Sequence, residues 1–406
     1  MSYQFKDDSH DRHKKSRSTE NVLVMQGGGS LGAFACGVYK ALVKQNVRID
    51  IVAGTSIGAV NAAIIVGSKS AHPEQDLENF WLEIAESNFQ LIPDMFTYDW
   101  DVQTGSYIAK KISAASANAA FFGIPKMFIP KWNWWSKRSK YSKYVLKKDQ
   151  QTSDPRSWTY LYDHSPLGDT LERYIDYKKL NLAAAKEELP SVLRLIITAV
   201  DVLTAKPLIF DNTQVEIKTQ HILASTGYPI YGFPWVEIDE DLYGWDGSLL
   251  SSTPIREVLF VSPRNDKNII IVENYPKKID RLPSNMAEVA NRYKDILFSD
   301  KDQYSIKMSK LLTRHIRLIE NLYDIFENFA DKSQLDVNKI KSIEKEYKTL
   351  IENYGAEIRS ITRIVRSEIE SPTILKNADF SVGTIKNLIE QGEKKTIEKL
   401  KHLDFE

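Results

Sequence analysis

Between Asn21 and Val66 the chain passes twice through one short plan: a β-branched apolar run, a glycine turn, then an apolar helix. Asn21–Met25 leads straight into Gly27–Gly28–Gly29, after which Leu31, Phe34, Val38 and Leu42 recur at helical spacing. Ile49–Ala53 leads into Gly54 and an Ala/Ile-rich helix that runs to about Val66. Strands alternating with helices at this spacing are the beginning of a parallel sheet with helices on its faces. Val192–Val200 and Asn268–Glu273 are further near-continuous apolar runs, as expected of strands buried on both sides. Thr219–Ser225 reads as a short helix that stops before Pro229. The expected fold class is α/β with a mainly parallel central sheet.

Three regions stand apart from that body. Residues 1–20 hold Asp7, Asp8, Asp11, Lys14, Lys15 and Arg17 and no apolar run, so they read as a solvated, disordered tail and not as a secretory signal. Within a body of residues 21–283, the stretch 105–165 is mixed, aromatic and basic, and reads as an insertion. Residues 284–406 read as helical with no strong strand signal. Met308, Leu312, Ile316, Ile319, Tyr323 and Phe326 step by three or four, as do Ile340, Ile343, Tyr347, Leu350, Tyr354, Ile358, Ile361 and Val365. Asp331–Asn338 separates the two runs, which predicts a helical hairpin ended by Pro372. Its apolar stripes are expected on the α/β body, with self-association into a homo-oligomer as the alternative.

Composition narrows the function classes. Lys+Arg and Asp+Glu balance at 54 each, so no overall field draws the chain to nucleic acid. Cys36 is the single cysteine, which rules out an internal disulfide and fits a reducing compartment. No run approaches the roughly 18 apolar residues of a membrane span, so a cytoplasmic or peripheral-membrane location is expected. Secretion as an effector by another route would leave the same sequence. No metal-ligand cluster or cofactor motif stands out, and none is expected.

Gly54–Thr55–Ser56–Ile57–Gly58 matches G-x-S-x-G, placed between a strand and a helix as a nucleophile elbow requires. The flanking glycines, Gly54 and Gly58, remove side chains that would clash in so sharp a turn, and Ser56 stands at a helix N-terminus, where developing negative charge is stabilised. The alternative is a serine N-cap in an ordinary glycine turn. The run Gly27–Gly28–Gly29–Ser30–Leu31–Gly32 exposes consecutive backbone N–H groups that can bind an oxyanion or a phosphate. A dinucleotide reading fits Gly27, Gly29 and Gly32, but the acidic residue near the required distance, Asp50, stands at the start of the second strand instead of ending it. None of His10, His13, His72, His164, His221, His315 and His402 sits in an obvious catalytic motif. Asp246 is an acidic candidate, in the Gly-bracketed segment Tyr243–Gly244–Trp245–Asp246–Gly247–Ser248.

Taken in order, these elements resemble the patatin-like phospholipases: a glycine-rich loop near the N-terminus, G-T-S-x-G about 25 residues later, and a distant Asp-Gly. Ala224–Ser225–Thr226–Gly227–Tyr228–Pro229 resembles that family's Ala-Ser-x-x-x-Pro block. Leu282–Pro283–Ser284–Asn285, Arg292–Tyr293–Lys294–Asp295 and Asp379–Phe380–Ser381 look like the tail of a bacterial subgroup. The resemblance implies a three-layer α/β/α hydrolase with a Ser56–Asp246 dyad, and an oxyanion hole from amides of Gly27, Gly28, Gly29 and Ile57. It implies hydrolysis of lipid carboxylic esters, phospholipid or acylglycerol. Alternatives are an esterase of soluble or polyester substrates, or a catalytically idle membrane-binding or oligomerising protein. Leu31 stands where many members carry Arg or Lys, and Ser248 where many carry Gly or Ala.

Lys126–Lys148 holds eight basic residues and no acidic one, interleaved with Phe128, Trp132, Trp134, Trp135, Tyr141 and Tyr144. Trp132, Trp134, Trp135, Lys137, Arg138 and Lys140 are the candidate contacts to an anionic membrane or to substrate. The other reading is a lid of packed tryptophans with a solvated basic face. Stacking on single-stranded nucleic acid needs a similar composition, but the esterase motifs elsewhere argue against it.

Overall fold

The structure is a computed structural model that describes residues 18–88, 91–101, 106–112, 114–133, 139–145, 155–182, 193–261, 265–280, 282–283, 286–299, 303–329, 336–354, 357–366 and 376–401. The chain opens with β1 (Thr19–Met25), α1 (Ala33–Lys44), β2 (Ile51–Thr55), α2 (Ile57–Gly67) and α3 (Pro73–Glu86). A hairpin, β3 (Met95–Asp101) and β4 (Ser106–Ile112), begins before the region read as an insertion and reaches into it, and α4 (Ala115–Phe122), β5 (Ile129–Pro130), α5 (Ser142–Val145) and β6 (Tyr162–Asp163) follow within that region. After α6 (Pro166–Tyr174) and α7 (Tyr177–Leu180) come β7 (Arg194–Asp201), β8 (Pro207–Asp211), α8 (Thr219–Thr226), β9 (Val236–Asp239) and β10 (Leu242–Asp246). The remainder is α9 (Ile255–Val261), β11 (Asp266–Glu273), α10 (Met286–Phe298), α11 (Gln303–Phe329), α12 (Val337–Tyr354), β12 (Ile358–Val365) and α13 (Val382–Leu400).

The main sheet has the order β12-β11-β1-β2-β7-β10-β9, with β8 also on β7; β12, β11, β1, β2 and β7 are parallel. Side chains alternate across it. Leu23, Met25, Val52, Leu195, Ile197, Ile270 and Val272 face one core, which α1, α2, α3, α8 and α13 complete. Val22, Val24, Ile51, Ala53, Ile196, Ile269 and Ile271 face another, covered by α9 and the start of α11. Both faces are thus buried, which is why the parallel strands read as continuous apolar runs. The result is the expected three-layer α/β/α arrangement.

The helical reading of the second C-terminal run fails at its end. Ile358, Ile361 and Val365 belong to strand β12, which pairs in parallel with β11. Their spacing also fits a helix, but Ile358–Val365 is rich in β-branched residues and takes the open edge of β11. Two charged groups fix it there: Arg359 Nε donates to Asp266 at 2.7 Å, and Arg363 pairs with Glu273. β1 begins at Thr19, two residues inside the stretch read as tail. The helical hairpin is present, and Tyr323 and Tyr347 stack between α11 and α12 with ring centroids 3.9 Å apart. On α11, Ile316 is buried, whereas Leu318, Leu322 and Ile325 are exposed. Pro372, the expected hairpin end, lies outside the described residues.

Helix α13 crosses α1 at backbone contact. A Cβ on Gly392 would stand 2.2 Å from the Phe34 carbonyl oxygen, and one on Gly37 would stand 1.8 Å from that of Ile389. The C-terminal helix is therefore seated in the α/β body, and overpacking this crossing forces the helices apart. Gly37→Ala and Gly392→Ala are each expected to destabilise the protein by about 1–3 kcal/mol, read as a lower urea midpoint with an unchanged slope.

Candidate active site

One edge of β7 is shared by two strands that run toward each other. β2 pairs along Arg194–Thr198 and ends with Thr55 opposite Thr198. β10 pairs along Ala199–Asp201 and ends with Asp246 opposite Ala199. β8 spans Ile196–Val200, so it occupies the other edge. The residues that leave β2 and β10 therefore meet. Ser56 follows Thr55, and its hydroxyl lies close enough to the Asp246 carboxylate to favour the charged form.

Ser56 has φ 59° and ψ −129°, a backbone state that costs a non-glycine residue on the order of 1–3 kcal/mol. Surrounding contacts hold it. Its N–H donates to Ser225 Oγ at 3.0 Å, and its carbonyl accepts from Ala59 N–H at 2.9 Å at the start of α2. The flanking glycines are required by close approach: a Cβ on Gly54 would stand 2.1 Å from the Gly58 carbonyl oxygen, and one on Gly58 would stand 2.2 Å from that of Met25. An ordinary N-cap would have its hydroxyl bonded to the helix, but the Ser56 side chain makes no such bond.

Asp246 is 1% exposed. Its carboxylate accepts from Ser248 N–H at 2.8 Å, with the hydroxyls of Ser56 and Ser248 beside it. Burial pushes its pKa up to about 6, while that N–H and the two hydroxyls pull the other way. Ser248 thus adds a hydroxyl beside the carboxylate that Gly or Ala at this position would lack.

The glycine loop passes beside both groups. Gly29 has φ +59° and lies against the Asn377 carbonyl oxygen, which a Cβ would approach to 2.3 Å. The Gly27 N–H donates to the Ser252 carbonyl at 3.3 Å. The amides of Gly28 and Gly29 bond no acceptor among the described residues, and Ile57 opens α2, so its amide has no intrahelical acceptor. Asn274 Nδ2 ties the loop down through the carbonyls of Gln26 and Gly27, at 3.0 and 3.1 Å. Leu31 is wholly buried, where a cation in its place would be desolvated. Asp50 sits at the base of β2, accepting from Asn21 N–H at 2.9 Å, at the opposite end from the glycine loop. That placement excludes the dinucleotide alternative.

These groups open into an apolar cavity. Its walls are aromatic and come from three parts of the chain. Met127, Phe128 and Tyr162 come from the region read as an insertion, Tyr228, Tyr231 and Phe233 from the segment after α8, and Tyr275, Phe298 and Phe380 from the C-terminal third. Sequence reading missed the last group, although Phe380 stands in the Asp379–Phe380–Ser381 stretch already singled out. His164 also lines the cavity, buried with Nε2 on the Leu223 carbonyl at 3.0 Å and its ring edge-on to Phe233. His221 is structural: its Nδ1 accepts from Lys218 N–H at 2.8 Å, and burial pushes its pKa down to about 4.

The basic segment divides. Lys126 pairs with Glu83 and Lys140 with Glu172, while Lys131 lies over the rings of Trp158 and Tyr160. Trp132 is partly exposed, packs on Tyr162, and donates Nε1–H to the Phe121 carbonyl. Trp134, Trp135, Lys137 and Arg138 lie outside the described residues. No helix among the described residues is long and apolar enough to cross a membrane.

Fold and site together define a three-layer α/β/α protein with a strained serine elbow facing a buried carboxylate at an apolar cavity. The family model of the patatin-like phospholipases matches residues 23–259, and the chain belongs to that family. Lysophospholipase nte1 of Aspergillus terreus is 43% identical over 60 residues, which cover 15% of this chain and 4% of that protein. Triacylglycerol lipase SDP1L of Arabidopsis thaliana is 44% identical over 59 residues, covering 14% of this chain and 7% of that protein. The chain thus spans less than a tenth of the length of either relative. Among solved structures, VipD from Legionella pneumophila matches with a TM-score of 0.38 and 14% identity, over 94% of this chain and 66% of that one.

The raised pKa of Asp246 has a consequence for stability. Its proton is held more tightly in the folded than in the unfolded chain, so its contribution is most favourable below the unfolded pKa of about 3.9 and is lost as pH rises through about 6. Asp246→Asn removes the buried charge. It is expected to raise stability at pH 8 by up to roughly 3 kcal/mol, with the gain shrinking toward pH 4. Urea unfolding at the two pH values measures both.

Proposed function

We propose that this chain is a lipid acyl hydrolase in which Ser56 is the nucleophile and Asp246 the general base. The observation that carries the proposal is the Ser56 hydroxyl set beside a buried carboxylate at the wall of an apolar cavity. Asp246 takes the hydroxyl proton as Ser56 Oγ attacks an ester carbonyl. The amides of Gly28, Gly29 and Ile57 receive the oxyanion, while Gly27, whose N–H is held by Ser252, shapes the loop. Collapse of the tetrahedral intermediate expels the alcohol, which leaves with the proton from Asp246. Water, deprotonated by the same carboxylate, then frees the acid from the acyl-enzyme. A carboxylate of ordinary pKa is a weak base at neutral pH, and burial makes this one stronger.

The aromatic cavity favours an acyl chain over a polar substrate, which supports lipid esters ahead of soluble or polyester ones. The rival reading, an idle scaffold, predicts no labelling by a fluorophosphonate probe, because labelling needs an activated serine. Ser56→Ala is expected to abolish labelling and to lower kcat by at least about 10³-fold without unfolding. Asp246→Asn should cost about 10²–10⁴-fold, whereas His164→Gln, His221→Ala and His315→Ala should each stay within about tenfold. A histidine variant as inactive as Ser56→Ala, yet folded, refutes the dyad.

Because the reactive form has Asp246 ionised, kcat/KM should rise with pH through about 6 and then level off. Ser248→Ala removes a hydroxyl that favours the ionised carboxylate, so its acid limb should move to higher pH.

Contact of residues 126–148 with an anionic lipid surface, and self-association through the exposed face of α11, belong to the same proposal. Changing Lys137, Arg138, Lys140 and Lys143 to Gln is expected to lower hydrolysis of anionic vesicles and to spare a soluble ester. The difference should fade in high salt.

A further inference from the structure

The two ends of the glycine loop are tied to the same helix. Gln26, just before the loop, donates from Nε2 to the Phe298 carbonyl at 2.9 Å, and Phe298 is the last residue of α10. Ser30, just after Gly29, donates from Oγ to the Lys376 carbonyl at 3.2 Å. The Lys376 ammonium in turn pairs with Asp295, one turn before Phe298 on α10. A third tie starts from the neighbouring residue of the helix, where Lys294 Nζ donates to Asn377 Oδ1 at 3.1 Å. Asn377 is also the residue whose carbonyl lies against Gly29 too closely to admit a Cβ. The backbone of Lys376–Asn377 is thus held between α10 and the glycine loop.

The ion pair in this chain of contacts is dry. Asp295 and Lys376 are each 5% exposed, and the ammonium lies over the Tyr275 ring, 5.7 Å from its centroid. Taking two charges out of water costs about as much as their attraction returns, so such a pair adds little stability over two well-packed apolar side chains of similar volume. It does add direction, because an ammonium and a carboxylate must meet at one spot whereas apolar groups can slide past each other. The glycine loop needs direction from outside. An oxyanion hole works through donors fixed in advance of the reaction, and Gly27, Gly28 and Gly29 have no side chains with which to fix their own amides.

On the reading of Ser56 as the nucleophile of an acyl hydrolase, we propose that Lys376 and Asp295 are positioning residues for the oxyanion hole. Their pair sets the Lys376–Asn377 backbone, and that backbone sets the amides of Gly28 and Gly29. Neither side chain stands in the cavity wall, so both act through the loop and not on the substrate.

The test uses the full chain and p-nitrophenyl butyrate. In Asp295→Leu/Lys376→Met both charges are replaced together by apolar groups of similar size. The urea midpoint should equal or exceed that of wild type, while kcat falls by about 10–100-fold and KM stays within about threefold. Ser30→Ala cuts the same tie on the loop side and should also lower kcat at unchanged KM. Added to the pair variant it should cost little more, because one constraint cannot be lost twice. Wild-type kcat in a stably folded pair variant overturns the proposal. So does a lowered urea midpoint, which assigns the pair to the fold, and so do losses that multiply in the triple variant, which send Ser30 and the pair by separate routes. Failure of the hydrolase reading is a different result: Ser56→Ala would then turn over the ester as wild type does.

Discussion

Strand β7 offers one edge to two strands that run toward each other, and Ser56 and Asp246 meet in the gap between their ends. Neither residue needs a long or mobile loop to reach the other. β2 delivers Ser56 through a turn of high backbone energy, and β10 delivers Asp246 with its N–H on the Gly227 carbonyl at 3.1 Å. A rigid sheet holds both, so their separation is set by strand register. A one-residue slip of either strand would turn its side chain to the other face. Thr55 and Thr198, hydroxyl to hydroxyl at 2.6 Å, pin the register next to the gap.

The same geometry explains why the site works against stability. A carboxyl group is kept out of water, and a serine is held at positive φ. Such arrangements persist only where the surroundings over-determine them. Here the surroundings include Ser225, Ser248 and Asn274, each spending a polar group on fixing the elbow, the carboxylate or the glycine loop. The C-terminal third belongs to this support. Its strand β12 extends the sheet, its helix α13 locks against α1, and Asn377 and Phe380 stand at the glycine loop and the cavity. It contributes to the site as well as to the fold.

The elements that form the cavity wall also have an outer face. α10 turns Phe298 inward and Ile296 outward, and the segment after α8 turns Tyr231 inward while Ile230 points to solvent. Chain segments that enclose an apolar cavity have one side committed to it. Their other side is free to be polar, and on α10 it is apolar instead.

Much of this was legible in the amino-acid sequence, for definite reasons. Parallel strands buried on both faces leave continuous apolar runs, so β1, β2, β7 and β11 were readable. The elbow was readable because a turn this sharp demands glycine beside the serine, at Gly54 for crowding within the turn and at Gly58 for crowding against β1. Asp246 was a candidate through its glycine neighbours, and became part of the site by resemblance. The edge strand β12 was not legible, because Ile358, Ile361 and Val365 also satisfy a helical period and only the open edge of β11 decides between the two. The cavity wall was equally out of reach. Tyr228, Tyr275, Phe298 and Phe380 are separated by up to 152 residues in the chain, and nothing local says that they face one another. Local sequence set the turns and the apolar periods, since these depend on near neighbours. Tertiary structure alone decided which ends meet, how deeply Asp246 is buried, and which side of α10 faces water, since each depends on residues distant in the chain.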